Sequence, residues 1–106
     1  MLNTKKLLTK VLNGFRGCDS SRYESFGTST TVKPTRDGWL SVVATCTVSS
    51  GLAPVARIGD SNTVFAEGVG VIYNGGILLV GCPVKAGYTY TVSAFRCTIN
   101  SVTNYY

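Results

Sequence analysis

The chain of 106 residues contains no histidine, five acidic residues and a single tryptophan. Without histidine it lacks the commonest general base and the commonest metal ligand together. The few carboxylates narrow the field further. Asp37 and Asp60 fall in glycine-containing turns, which leaves little for the paired carboxylates of a glycosidase, and no Asp/Asn-rich loop of the calcium-binding kind occurs. Gly68-Val69-Gly70 lacks the third glycine of a dinucleotide fingerprint and no helical pattern follows it, so it reads as a pair of strand glycines; no phosphate-loop motif is present. Cys18, Cys46, Cys82 and Cys97 are 28, 36 and 15 positions apart, none a zinc or thioredoxin spacing. The expectation is a protein that is not an enzyme, with no catalytic residues, no cofactor and no metal.

Charge is scarce too. Charged residues make up 14% of the chain, where about 25% is usual for soluble domains. Thirteen threonines and ten serines stand in for them, with 12 glycines, a balance that suits a Thr-rich β-protein. The net charge of +5 is unevenly placed: Lys5, Lys6, Lys10 and Arg16 contribute four positive charges before residue 18, and the remainder is close to neutral. Duplex binding needs a basic face on the folded domain, so the sequence does not favour nucleic acid.

Residues 1–17 carry an apolar stripe of Leu7, Leu8, Val11, Leu12 and Phe15 at helical spacing, with the lysines off it. This predicts a short amphipathic helix preceding a β-domain over residues 18–106. Lys10 interrupts the apolar run, so the segment reads neither as a signal peptide nor as a membrane span. Such a short helix is marginal alone. Its stripe can meet sister copies through Leu8, Val11 and Phe15, pack back on its own domain, or lie on a membrane surface.

Beyond Tyr23 the apolar period becomes two. Leu40, Val42, Ala44, Cys46 and Val48 share one strand face, following a turn at Asp37-Gly38. Val55–Ile58 and Thr63–Ala66 read as one hairpin, and Val69–Tyr73 and Ile77–Val80, around Asn74-Gly75, as a second that is nearly all apolar. Val71, Tyr73 and Leu78 of that second hairpin belong inside the sandwich or at a subunit contact, because an exposed apolar hairpin invites aggregation. Tyr88 and Tyr90 fall on the buried parity of the next strand. There the apolar parity switches between Ala94 and Phe95, which predicts a bulge or sharp bend. Cys46 and Cys97 sit in apolar strand patterns and read as buried free thiols, with one bridge as the rival. Trp39, Tyr23 and Tyr105 combine flat apolar rings with polar tips and are the candidate contacts for a ligand. Seven or eight short strands indicate an all-β antiparallel sandwich or jelly roll.

The apolar helix from Leu2 to Leu12, followed by Val32-Lys33-Pro34-Thr35-Arg36-Asp37-Gly38-Trp39-Leu40 and by Cys82-Pro83-Val84-Lys85-Ala86-Gly87-Tyr88-Thr89-Tyr90-Thr91-Val92, resembles the knob domains of bacteriophage tail fibres and baseplate proteins. The Asp-Gly-aromatic-Leu strand start and the Pro-Val-x-x-Gly approach to a long strand are similar to those of the trimeric C1q and tumour-necrosis-factor heads. The resemblance implies a homotrimeric virion protein that binds a bacterial surface glycan or other virion proteins and carries no catalytic residues. It also implies assembly in the host cytoplasm without a signal peptide and release in the extracellular particle. Two readings compete with it: a monomeric bacterial carbohydrate- or surface-binding sandwich, and a small nucleic-acid-binding barrel resting on the pI and on Tyr88, Tyr90 and Phe95.

Overall fold

The computed structural model of the protein describes residues 21–106. The helix expected over residues 1–17, with Leu8, Val11 and Phe15, lies outside the described residues, as does Cys18. What is described is all β. Eight strands form two four-stranded sheets: β1 (Tyr23–Ser25), β2 (Thr31–Val32), β3 (Gly38–Cys46), β4 (Val55–Gly59), β5 (Val64–Val69), β6 (Ile77–Val84), β7 (Tyr90–Phe95) and β8 (Cys97–Tyr105). One sheet runs β1-β8-β3-β6 and the other β2-β7-β4-β5, with every pairing antiparallel.

The pairs nest. β4 pairs with β5, β3 with β6, β2 with β7 and β1 with β8, as though one long hairpin closed at β4–β5 were folded so that successive rungs alternate between sheets. The closing turn is built by Asp60, whose Oδ1 accepts from the amides of Asn62 at 2.8 Å and Thr63 at 2.7 Å. A short side chain that satisfies two turn amides is the reason aspartate suits this position.

β3 shows how the alternation makes the core. Leu40, Val42, Ala44 and Cys46 are fully buried, while Trp39, Ser41, Val43 and Thr45 keep partial exposure on the opposite face. Ile58, Val80, Val92 and Val102 from the surrounding strands meet that inner face. On β8 the inward parity changes along the strand: Cys97 and Ile99 pack towards the core, then Val102 and Asn104. The register slips between Val43 and Ala44, leaving Asn100 as the extra residue of a bulge whose Nδ2 donates to Thr45 Oγ1 at 2.6 Å.

Several expectations change here. Of the bulge or sharp bend expected at Ala94–Phe95, the structure has the bend, at Arg96 with φ 60°, and there the chain also changes sheet, since β7 and β8 belong to different sheets. Arg96 is anchored there by its own side chain, with Nε donating to Leu52 O at 2.8 Å and the guanidinium also bonded to Ser50 O. Nor does the second apolar run form a hairpin. Gly70 donates to Pro54 O, while Gly75 donates to Cys46 O and Gly76 O accepts from Cys46, so the Asn74-Gly75 turn docks on the end of β3 and carries the chain between sheets. Tyr88 precedes β7 and is exposed, whereas Tyr90 is buried with its hydroxyl accepting from the Lys85 amide at 2.9 Å.

Among the described residues one polar side chain is wholly interior. Asn104 Nδ2 donates to Glu24 Oε1 and to Arg36 O, both at 2.9 Å, while its Oδ1 is buried without a partner. Glu24 also accepts from the Thr35 amide at 2.9 Å and from Thr35 Oγ1 at 2.6 Å, which ties β1 to the turn before β3. Burial by itself raises the Glu24 carboxyl, but the hydrogen bonds from Thr35 and Asn104 outweigh it and hold the group below its ordinary value of 4.5. A depressed carboxyl adds stability that is fully present above the unfolded-state value and is lost as pH falls through the folded one. Urea titrations should therefore show stability declining with acidification below 4.5, with that decline reduced in Glu24→Gln; an unchanged acid limb contradicts the role. Asn104→Ala should cost about 1–3 kcal/mol at neutral pH, from the lost bonds to a carboxylate and a backbone carbonyl.

Candidate binding face

Cross-strand register gathers the three aromatic residues singled out from the sequence. Tyr23 on β1 lies opposite Tyr105 on β8, Tyr105 opposite Trp39 on β3, and Trp39 opposite Pro83 on β6. They form one row across all four strands of a sheet. All are on the parity facing away from the core, where partners on one face come within contact distance. The Tyr23 and Tyr105 rings are 6.1 Å apart at 53°, a tilted pair. Trp39 lies over β6 at Gly81: a Cβ on that glycine would stand 2.5 Å from the indole Nε1. The bare backbone of Gly81 is what lets a large ring approach the strand this closely.

The next row inward is hydroxylic. Ser25 faces Thr103, Thr103 faces Ser41, and Ser41 faces Gly81. An aromatic row beside a row of hydroxyls offers apolar ring faces and hydrogen-bonding groups side by side, the combination suited to a ligand with both apolar faces and hydroxyls.

At the end of this sheet the chain brings two of its cations together. The Arg22 guanidinium lies 5.6 Å and that of Arg36 5.1 Å from the centre of the Tyr106 ring. Both distances are within cation–π range. With Thr35, Asp37 and Ala86 these residues line a shallow, open depression of about 440 Å³. Asp37 Oδ1 accepts from the Ala86 amide at 2.8 Å. Among the described residues the only ion pair is Arg57–Glu67, at 2.9 Å on the outer face of the other sheet. No described carboxylate therefore bridges to Arg22 or Arg36. This cluster was invisible in the sequence because Arg22 and Tyr106 stand 84 positions apart; a doubled tyrosine next to the candidate Tyr105 was its one signal.

The residues expected at a subunit contact divide. Val71 and Tyr73 are exposed, at 62% and 68%, but Leu78 is buried in the core. Because strand neighbours face opposite ways, the outward positions beside it are Ile77 and Leu79, at 61% and 66%. With Val69 they form an apolar flank along β5 and β6, the edge strands of the two sheets. These edges lie close: a Cβ on Gly68 of β5 would stand 2.7 Å from Leu79 O of β6. Among the described residues no group of three or more His, Cys, Asp or Glu is placed to hold a metal, and no helix is long and apolar enough to cross a membrane.

Replacing Gly81 with valine should push the indole off the sheet, shifting the tryptophan fluorescence maximum towards the red while leaving the far-ultraviolet β spectrum intact. An unchanged maximum contradicts the packing of Trp39 on Gly81. In comparisons with known proteins, no family model, curated protein or solved structure matches the chain.

Proposed function

We propose that the protein is a non-enzymatic attachment or structural module of a bacteriophage tail fibre or baseplate, a jelly roll acting as a homotrimer with an outward binding face for a bacterial surface glycan. The observation that carries this reading is the exposed apolar flank of Val69, Ile77 and Leu79 on two edge strands, with Val71 and Tyr73 on the connection between them. Edge strands are ordinarily protected by charge, proline or a covering element. Here Glu67 on β5 and Pro83 on β6 supply that protection, but the exposed Val64, Phe65 and Val69 of β5 and Ile77 and Leu79 of β6 are apolar, and an exposed apolar surface of this kind marks an interaction site. A second and third copy of the same chain cover it without any other component.

Two further features support the reading. The nested pairing, with strand orders β1-β8-β3-β6 and β2-β7-β4-β5, is the arrangement of an eight-strand jelly roll, an architecture used by viral capsid and lectin domains. The row of Tyr23, Tyr105 and Trp39 lies on the sheet that begins with β1, with the hydroxyl row beside it and the Arg22–Arg36 pair at its end. Rings, hydroxyls and two guanidiniums held without a salt bridge together suit a glycan bearing acidic substituents. The competing reading, a monomeric bacterial carbohydrate-binding sandwich, rests on the same aromatic row and differs only in leaving the flank uncovered.

Light scattering should give about three times the chain mass of 11.3 kDa, and Leu79→Lys should shift the protein towards monomer. A monodisperse wild-type monomer contradicts the trimer and favours the second reading. On a glycan array, Trp39→Ala should weaken binding by roughly tenfold or more without loss of fold, the worth of one well-stacked ring. Undiminished binding removes the aromatic row from the site.

A further inference from the structure

Cys46 ends β3 and Cys97 begins β8, and the two are register partners. Antiparallel partners alternate between pairs that exchange backbone hydrogen bonds and pairs that exchange none, the second kind with Cα atoms about 4.5 Å apart. Cys46 uses both main-chain groups on the side away from β8: its amide donates to Gly76 O at 2.7 Å and its carbonyl accepts from Gly75 at 2.8 Å. The bond towards β8 is made one residue later, by the Thr47 amide to Arg96 O at 3.2 Å. Cys46 and Cys97 are therefore a non-hydrogen-bonded pair. Their side chains share the inner face, Cys46 fully buried and Cys97 half-buried against the same core.

This is the backbone geometry a disulfide requires, since bridged cysteines have Cα atoms about 4.4–6.8 Å apart. The third described cysteine is out of reach. Cys82 lies opposite Leu40, six positions along β3 from Cys46, or roughly 20 Å at the usual strand rise. All three are thiols in this structure.

We propose that Cys46 and Cys97 are a redox pair that an external low-molecular-weight disulfide converts into a cross-strand bridge, fastening the sheet change at Arg96 to the end of β3. Cys97, the more exposed of the two, loses its proton and attacks a sulfur of the oxidant, releasing one thiol and forming a mixed disulfide. Cys46 then loses its proton and attacks the Cys97 sulfur, expelling the second thiol. Two protein S–H bonds and the oxidant's S–S bond break, one protein S–S bond forms, and the two protons leave on the two reduced thiols. The bridge closes the loop from residue 46 to residue 97, which contains β4 to β7. Space at the pair is kept by Gly70, where a Cβ would stand 2.7 Å from Cys46 Sγ. Cys97 Sγ lies 3.6 Å from Val55 O, in the adjoining sheet. Burial pushes the Cys97 thiol up, and the neighbouring Cys46 adds to this, so the native pair reacts slowly and persists reduced until an oxidant is supplied.

The test uses the full chain incubated with oxidised glutathione in mildly alkaline buffer, alkylated and mapped by mass spectrometry without reduction. The expected result is a peptide pair linked through Cys46 and Cys97, with Cys82 recovered alkylated. The oxidised form should melt at least about 5 °C higher than the reduced one, as expected for a bridge closing a long loop in a small domain. The difference should vanish on adding dithiothreitol and be absent in Cys97→Ala. Bridges only through Cys18 or Cys82, a reaction that stops at glutathione on Cys97, or complete alkylation of both thiols would each overturn the proposal. A correct link without a rise in melting temperature overturns the fastening role.

Discussion

The whole sandwich depends on β3. It is hydrogen-bonded on one side to β6 and on the other to β8, and its four inward residues are wholly buried. Its partners come from the second half of the chain, so the core forms only when distant segments find the correct register. A slip of one residue would turn Leu40, Val42 and Ala44 outwards and carry Trp39 into the core. The same register that buries the core places Trp39 between Tyr105 and Pro83. Core and candidate binding row are opposite faces of one pairing.

The shortage of charge becomes intelligible on this frame. Most of the described positive charge forms no ion pair, and the one ion pair among the described residues, Arg57–Glu67, is exposed on both sides; such pairs contribute little. At the buried Asn104 the side-chain amide is held by hydrogen bonds to Glu24 and the Arg36 carbonyl, and Thr35 completes the network at the surface. Stability therefore rests on buried aliphatic side chains and backbone ladders, and the surface is wetted by Ser and Thr rows. On the β5–β6 flank that wetting fails, and an uncovered apolar band is what remains.

The fold class was legible because β3 alternates cleanly and because Asp60 and the flanking apolar runs mark the β4–β5 hairpin. The second apolar run misled for a physical reason. Asn74-Gly75 is a strong hairpin signal, but its backbone groups found partners on Cys46, which no local pattern announces. The parity change near Ala94 was correctly seen as a break, yet a bulge and a change of sheet look alike in sequence; the structure holds both, at Asn100 and at Arg96. Tyr23, Trp39 and Tyr105 were chosen singly for their chemistry. That they form a row depends on pairing between the two ends of the chain, as does the cluster of Arg22, Arg36 and Tyr106.

The central claim is that copies of the chain cover the β5–β6 flank while the aromatic row stays open. Residue-resolved hydrogen exchange across a dilution series addresses both halves at once. The account predicts that amides between residues 64 and 80 exchange faster on dilution, while those of β1 and the end of β8 keep the same rate. Exchange in the flank that is independent of protein concentration and as fast as in an isolated edge strand would contradict it.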